Sequence, residues 1–281
     1  MTKDFLTVTD HNRDVSGLKY IYPVISRRAG GVSIGINLNV NNACNWRCIY
    51  CQVPELTRGT PPPIDMALLE SELRSFLSEI IYGKFMESFV SETDRHLKDI
   101  AFSGNGEPTS AKEFPEVILL VERVLRDFNL LGGIKIRLIT NGSLIDKPEI
   151  LTSLNHLSSL NGEVWFKVDS GTKEGISRIN DVILNPQSHI KRLIKCADAC
   201  PTFIQTCMVE LDGKPPSTEE ISAYLALISE VKHKVLGVHL YGLARPSLQK
   251  EAPRLRRLPQ EWLENMAKKI RAIGLETYVN P

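Results

Sequence analysis

The chain has 281 residues, 42% of them hydrophobic, enough for a substantial core in one α/β domain or two smaller ones. With 34 Lys and Arg against 33 Asp and Glu, it has no global charge to draw it to nucleic acid or a membrane surface. No run approaches the ~18 apolar residues of a membrane span, Met1-Thr2-Lys3-Asp4-Phe5 lacks the apolar core of a signal peptide, and six cysteines in such a chain point to a reducing cytoplasm.

Residues 1–32 show little periodicity and read as an N-terminal extension to a core spanning 33–281. From Val32 to Val40 apolar residues alternate with small or polar ones, a strand signal. Cys44, Cys48 and Cys51 follow at once, spaced C-x3-C-x2-C, with Tyr50 just before the third. Three thiolates on a cubane iron–sulfur cluster leave one iron without a protein ligand, and an open metal position is where chemistry takes place. A structural zinc site would need a fourth ligand; the nearest histidine after the loop is His96. After Pro61-Pro62-Pro63, Leu69, Leu73, Phe76, Leu77 and Ile80 form the apolar stripe of a helix over 66–82. Residues 83–97 are polar and read as an insertion.

Strands and helices then alternate. Strands are predicted at 99–102, 135–139, 164–168, 203–209 and 235–241, with a short last one at 276–279. Helices fall at 116–128, 147–157, as helical material after the 164–168 strand to about 200, at 218–231, and at the C-terminus over 259–273. This alternation means a parallel sheet with right-handed crossovers. Six β–α units fit a single-domain partial (β/α)6 TIM-like barrel, and a doubly wound open sheet fits the same string.

Ligands gather at the carboxyl ends of such strands. The second strand ends in Gly104-Asn105-Gly106-Glu107, the third in Thr140-Asn141-Gly142. In the fourth, Lys167 and Asp169 share one face, since side chains alternate. Cys196, Cys200 and Cys207 read as packing residues, with an auxiliary cluster as the alternative. Arg27-Arg28, Arg245 and Arg254, Arg256 and Arg257 are candidate anion contacts or solvated surface charges.

The cysteine spacing, followed one β–α unit later by Asn105-Gly106-Glu107, resembles the radical S-adenosylmethionine (radical SAM) superfamily. The resemblance implies a [4Fe–4S] cluster on Cys44, Cys48 and Cys51 and S-adenosyl-L-methionine chelated to its open iron. It further implies reductive cleavage to a 5′-deoxyadenosyl radical that abstracts hydrogen from a substrate. Tyr50 would lie beside the adenine. Glu107 and the backbone of Gly104, Asn105 and Gly106 would hold the methionine end. Asn141, Lys167 and Asp169 would face ribose and carboxylate. The family's usual Gly-Gly-Glu is Asn105-Gly106-Glu107 here, which keeps the carboxylate.

Phe166–Thr172 with Arg178-Ile179-Asn180, and Gly242–Ser247, resemble the wyosine-synthase-like branch. Authentic wyosine synthases carry cysteines ahead of the signature loop, and none precedes Cys44 here. The implied substrate is a tRNA base or a small molecule, with a reductant such as flavodoxin or ferredoxin. The alternatives are an activating enzyme that places a radical on a protein partner and a structural metal-binding module.

Overall fold

The computed structural model describes Leu6, residues 17–26 and residues 30–280. Eight strands form one sheet whose spatial order is their order in sequence. They are β1 (Ile21–Ser26), β2 (Gly31–Ile36), β3 (Leu97–Phe102), β4 (Lys135–Thr140), β5 (Gly162–Lys167), β6 (Thr202–Cys207), β7 (Gly237–Tyr241) and β8 (Thr277–Asn280). β1 pairs antiparallel with β2, and every later neighbour is parallel. The crossovers carry α1 (Met66–Tyr82), α2 (Phe85–Phe89), α3 (Phe114–Asp127), α4 (Pro148–Ser159), α5 (Lys173–Asn180), α6 (Pro186–Ala199), α7 (Thr218–Ser229) and α8 (Gln260–Ala272).

The strand order decides between the two architectures. A doubly wound sheet reverses its order part-way, which puts helices on both faces. Here the order never reverses, so right-handed crossovers keep all helices on one face. That outer face is apolar: Ile34, Ile36, Phe102, Leu138, Val164, Phe166, Ile204, Val238 and Leu240 are buried against the helix stripes in one core. On α3 the stripe is Val117, Val121, Val124 and Leu125, at helical spacing.

The inner face is mostly polar. Tyr22, Ser33, Asp99, Arg137, Trp165, Gln205, Tyr241 and Asn280, one from each strand, line a single cavity, so the sheet is curled into a partial barrel. Its interior charges are paired. Ser33 Oγ donates to Asp99, Arg137 pairs with Asp99 and with Glu163, and the Trp165 indole donates to Glu163 at 2.7 Å. The Arg137 guanidinium also lies 5.0 Å from the centre of the Trp165 ring.

Three parts of the chain differ from the sequence reading. The segment read as an extension contains β1, which joins the sheet through the hairpin to β2. Its alternation is masked because both faces of β1 are buried, only Ser26 at its end being half-buried. Residues 83–97 are not a bare insertion: Phe85 and Val90 are buried, and Phe85 packs edge-on against Phe76 at 5.0 Å. The helical material read up to about 200 is two helices, broken after Asn180 by Asp181 in the left-handed conformation (φ 54°). Arg27 and Arg28 lie outside the described residues.

The β1–β2 hairpin has one tight contact. Tyr22 is the register partner of Gly35, and its hydroxyl shares a 2.8 Å hydrogen bond with Ser103 at the end of β3. A Cβ at position 35 would lie 2.2 Å from the Tyr22 ring. Gly35→Ala should therefore cost about 1–3 kcal/mol by overpacking, read as a melting temperature lowered by several degrees. An unchanged melting temperature would show that Tyr22 does not sit over Gly35.

Candidate functional site

The cysteine loop leaves β2 and enters the barrel mouth. Asn42 turns it in the left-handed conformation (φ 56°), and the Asn39 side-chain amide caps the carbonyl of Ala43 at 2.9 Å. A short parallel bridge of Ala43–Cys44 with Thr57–Arg58 closes the loop, and Cys51 N–H bonds Cys48 O at 2.9 Å. Cys44, Cys48 and Cys51 are free thiols, half-buried, and all three line the cavity, whose volume is about 310 Å³. Among the described residues no three His, Cys, Asp or Glu side chains converge closely enough to hold one metal ion. Thiolates on one zinc all lie ~2.3 Å from it; on a cluster each thiolate takes its own iron. Thiols set around a cavity suit the second arrangement.

Burial pushes Cys44 up to about 12 and Cys48 up to about 11. Both stand as neutral thiols until metal displaces the proton, so loading releases protons. The Lys167 ammonium and the Asn180 amide, 3.3 Å from Cys48 Sγ, oppose that rise and favour the thiolate.

The loop is held from two sides by distant parts of the chain. On one side is the end of α5: Arg47 N–H and Ile49 N–H bond the carbonyls of Asn180 and Ile179 at 3.2 and 2.9 Å. On the other are residues 245–251. Ser247 Oγ donates to Ile49 O at 2.6 Å, Leu248 N–H to Cys51 O at 2.9 Å, and the Gln249 amide to Val53 O at 2.9 Å. Arg47 joins the two sides, with Nε on Asp181 at 2.8 Å and a fork onto both oxygens of Glu251 at 2.9 Å. Such a bidentate, largely buried pair fixes geometry as well as charge. Arg178–Asn180 and Gly242–Ser247, seen in the sequence only as resemblances, thus flank or form this grip. Arg47, Asp181, Gln249 and Glu251 gave no sequence signal, since their partners lie more than a hundred residues away.

The glycine turn lies beside the loop, and the cavity is lined by Gly104, Asn105, Gly106 and Glu107. A Cβ at Gly106 would fall 2.1 Å from Ala43 O, so this glycine lets the turn press against the cysteine loop. Asn105 bonds Asn42 and Asn37, yet its Oδ1 is buried without a partner among the described residues. Glu107 is buried at 2% exposure and braces two strand ends. One oxygen accepts Thr109 N–H, Thr109 Oγ1 and Thr140 Oγ1; the other accepts Asn141 N–H at 2.6 Å. Burial raises its pKa against these donors. The second oxygen keeps lone-pair capacity for an ammonium group. Asn141 donates to Asn45 Oδ1 at 2.8 Å, tying the third strand end to the cysteine loop.

Lys167 and Tyr50 line the cavity together, the ammonium 5.1 Å from the centre of the ring. Burial works against the Lys167 charge, but Tyr241, Cys48 and Asp169 raise its pKa above that of an ordinary lysine. Asp169 is placed differently from the sequence expectation, because it is not among the residues lining the cavity. Its carboxylate is taken by the Tyr50 hydroxyl, the Asn180 amide at 2.7 Å and Cys207 N–H at 2.8 Å. Asp169 still shares a side with Lys167, since both reach the Tyr50 hydroxyl, but Tyr50 stands between it and the cavity. Asp169 orients Tyr50 from behind.

The later cysteines do not share a site. Cys196 and Cys200 are buried in the helix–sheet core, whereas Cys207 opens into the cavity. Arg245 lines the cavity mouth, while Arg254 pairs with Asp212 at 2.6 Å and Arg256 bonds backbone carbonyls. Arg257 donates to Ala244 O.

A profile described as the Radical SAM superfamily matches residues 38–221. The chain is 30% identical over 220 residues to a protein named GTPase Obg from Brachyspira hyodysenteriae, covering 75% of this chain and 28% of that one. It is 32% identical over 149 residues to a UPF0026 protein from Methanocaldococcus jannaschii, covering 53% and 39%. The chain thus spans well under half the length of these two curated relatives. Its fold is like that of a radical SAM methyltransferase from Sphaerobacter thermophilus, with a TM-score of 0.59 at 14% identity over 92% of this chain and 68% of that one.

Behind the loop, His189 packs at a tilt against Trp46 and Phe166, with ring centres 5.6 and 4.8 Å away, and its Nε2 lies 2.7 Å from Lys167 O. Burial, helped by Arg192, lowers its pKa to about 4 from 6.5. A neutral His189 donates from Nε2 and leaves Nδ1 bare. Above pH 6.5 the ring is neutral folded and unfolded; as pH falls toward 4, only the unfolded chain takes up the proton. The stability is therefore present above pH 6.5 and lost on acidification, by about 2 kcal/mol at pH 5. Urea unfolding at pH 7 and pH 5 should show His189→Phe losing less stability over that interval than wild type. Equal losses would mean that His189 is charged in the folded protein.

Proposed function

The chain belongs to the radical SAM superfamily and is a radical SAM enzyme, and we propose that Cys44, Cys48 and Cys51 hold its [4Fe–4S] cluster. The observation that carries this is the lining of one cavity by the three thiols, the Gly104–Glu107 turn and Lys167. When bound, the cluster and S-adenosylmethionine supply reductive cleavage to a 5′-deoxyadenosyl radical, which abstracts hydrogen from a substrate.

The chain's own residues bind, orient and exclude water. The grip of Arg47, Asp181 and Glu251 holds the cysteine loop, with its thiols half-buried at the cavity wall. Glu107 offers its less occupied oxygen to the cofactor's ammonium, and Asn105 Oδ1 supplies an acceptor beside it. Tyr50, held by Asp169 and Asn180, gives a fixed aromatic wall for the adenine. Lys167 is the cation for the cofactor's carboxylate or ribose. Such positioning is the protein's part when a cofactor carries the chemistry.

The substrate is a heteroaromatic base, as in tRNA, or another small molecule, and the electron comes from a flavodoxin- or ferredoxin-type donor in a reducing cytoplasm. The small-molecule reading is favoured over a protein-activating role by the cavity, which is a concave pocket lined by all eight strands of the sheet. No helix among the described residues is long and apolar enough to cross a membrane.

Anaerobic reconstitution should load about four irons and four sulfides per chain. Cys44→Ala should abolish the loading, while Cys196→Ala with Cys200→Ala keeps it. Stoichiometric zinc without acid-labile sulfide would favour a structural metal-binding module instead.

A further inference from the structure

We propose that Gln205 is the substrate-reading residue, and that it reads a neutral amide or lactam edge, an N–H beside a C=O. This rests on the cavity being the radical SAM site. Gln205 lies on the inner face of β6, is 2% exposed, and lines the same cavity as the three thiols. Its Oε1 is buried without a hydrogen-bond partner among the described residues. A buried carboxamide oxygen left unpaired costs ~1–3 kcal/mol, so a ligand donor is the natural complement.

The position leaves room for a substrate. Most groups assigned to the cofactor stand past the strand ends or on the cysteine loop. Gln205 sits two residues before Cys207 on a strand that runs toward the mouth, roughly 7 Å below that strand end. Its register partners are Lys167 on β5 and His239 on β7. A molecule reaching Gln205 therefore lies beside Lys167, at the edge of the groups assigned to the cofactor.

The surroundings choose the chemistry. Arg137, the cation nearest the barrel floor, is taken by Asp99 and Glu163. Lys167 donates to the Tyr50 hydroxyl at 3.4 Å and is assigned to the cofactor. Val24, Ile139 and Trp165 also wall the cavity. An acid would find its countercharges engaged, whereas a flat neutral group would meet apolar walls and one carboxamide. A carboxamide is at once donor and acceptor. It is best satisfied by an edge of the same kind, through two parallel hydrogen bonds, as glutamine does with a base edge.

The test uses reconstituted wild-type and Gln205→Met proteins with S-adenosylmethionine and no reductant, in equilibrium dialysis against uracil, nicotinamide and nicotinate. Methionine keeps the length and removes the amide. Wild type should bind uracil and nicotinamide at least tenfold more tightly than nicotinate, the same ring bearing a carboxylate. Gln205→Met should lose at least tenfold in affinity for both amides. The proposal is overturned if neither amide binds, if nicotinate binds as tightly, or if Gln205→Met binds the amides unchanged. An equal fall in S-adenosylmethionine affinity would give Gln205 to the adenine and also overturn it. If Gln205→Met fails to hold iron, the amide-over-acid preference of wild type decides alone. Wild type lacking four irons would fail the site assignment itself, whatever Gln205 binds.

Discussion

A loop that must aim three thiols into one cavity has almost no backbone ladder of its own to hold it. Its own contribution is a two-residue bridge and a few turns. The fork of Arg47 onto Glu251, with Asp181 on its remaining face, supplies what the loop lacks. Arg47 is only 20% exposed and Glu251 only 11%, so solvent screens this pair little. Each carboxylate is held below its usual range: Glu251 by the hydrogen bonds that it accepts from Arg47, and Asp181, against burial, by those that it accepts from Arg47 and Arg58. Loss of either partner would leave a charge stranded beside the thiols. The cavity, the cofactor contacts and the substrate depth all take their positions from that loop.

The two faces of the sheet divide the labour. The outer face carries the hydrophobic core, so the strands need no help from the barrel interior to stay folded. The inner face is then available for polar groups, provided that each finds a partner. Near the floor they do, through Ser33, Asp99, Arg137 and Glu163. Toward the mouth the pairing becomes incomplete: Gln205 and Asn105 each keep an oxygen without a partner among the described residues. The gradient from satisfied floor to unsatisfied upper wall separates support from binding surface along a single strand direction.

The sequence made legible whatever is written in local periodicity. The six β–α units, the stripe of α1 and the cysteine spacing were all readable, because side-chain direction follows strand or helix period. Glu107 was readable from its place after β3, though not its second task of bracing Thr140 and Asn141. β1 escaped because a strand buried on both faces shows no alternation. Asp169 stays on the side of Lys167, as both reach the Tyr50 hydroxyl, but it stands behind the tyrosine rather than in the cavity lining. The grip on the loop was invisible for a different reason. Arg47 and Glu251 are 204 residues apart, and nothing in a single chain marks two polar loop residues as partners.

The central claim is that the three thiols leave one iron open to S-adenosylmethionine. Its most direct measurement is product analysis after reducing the reconstituted protein with dithionite in the presence of S-adenosylmethionine. The account predicts 5′-deoxyadenosine and methionine in equal amounts from wild type, and neither from Cys48→Ala. Intact S-adenosylmethionine in a wild-type protein that carries its four irons would contradict it.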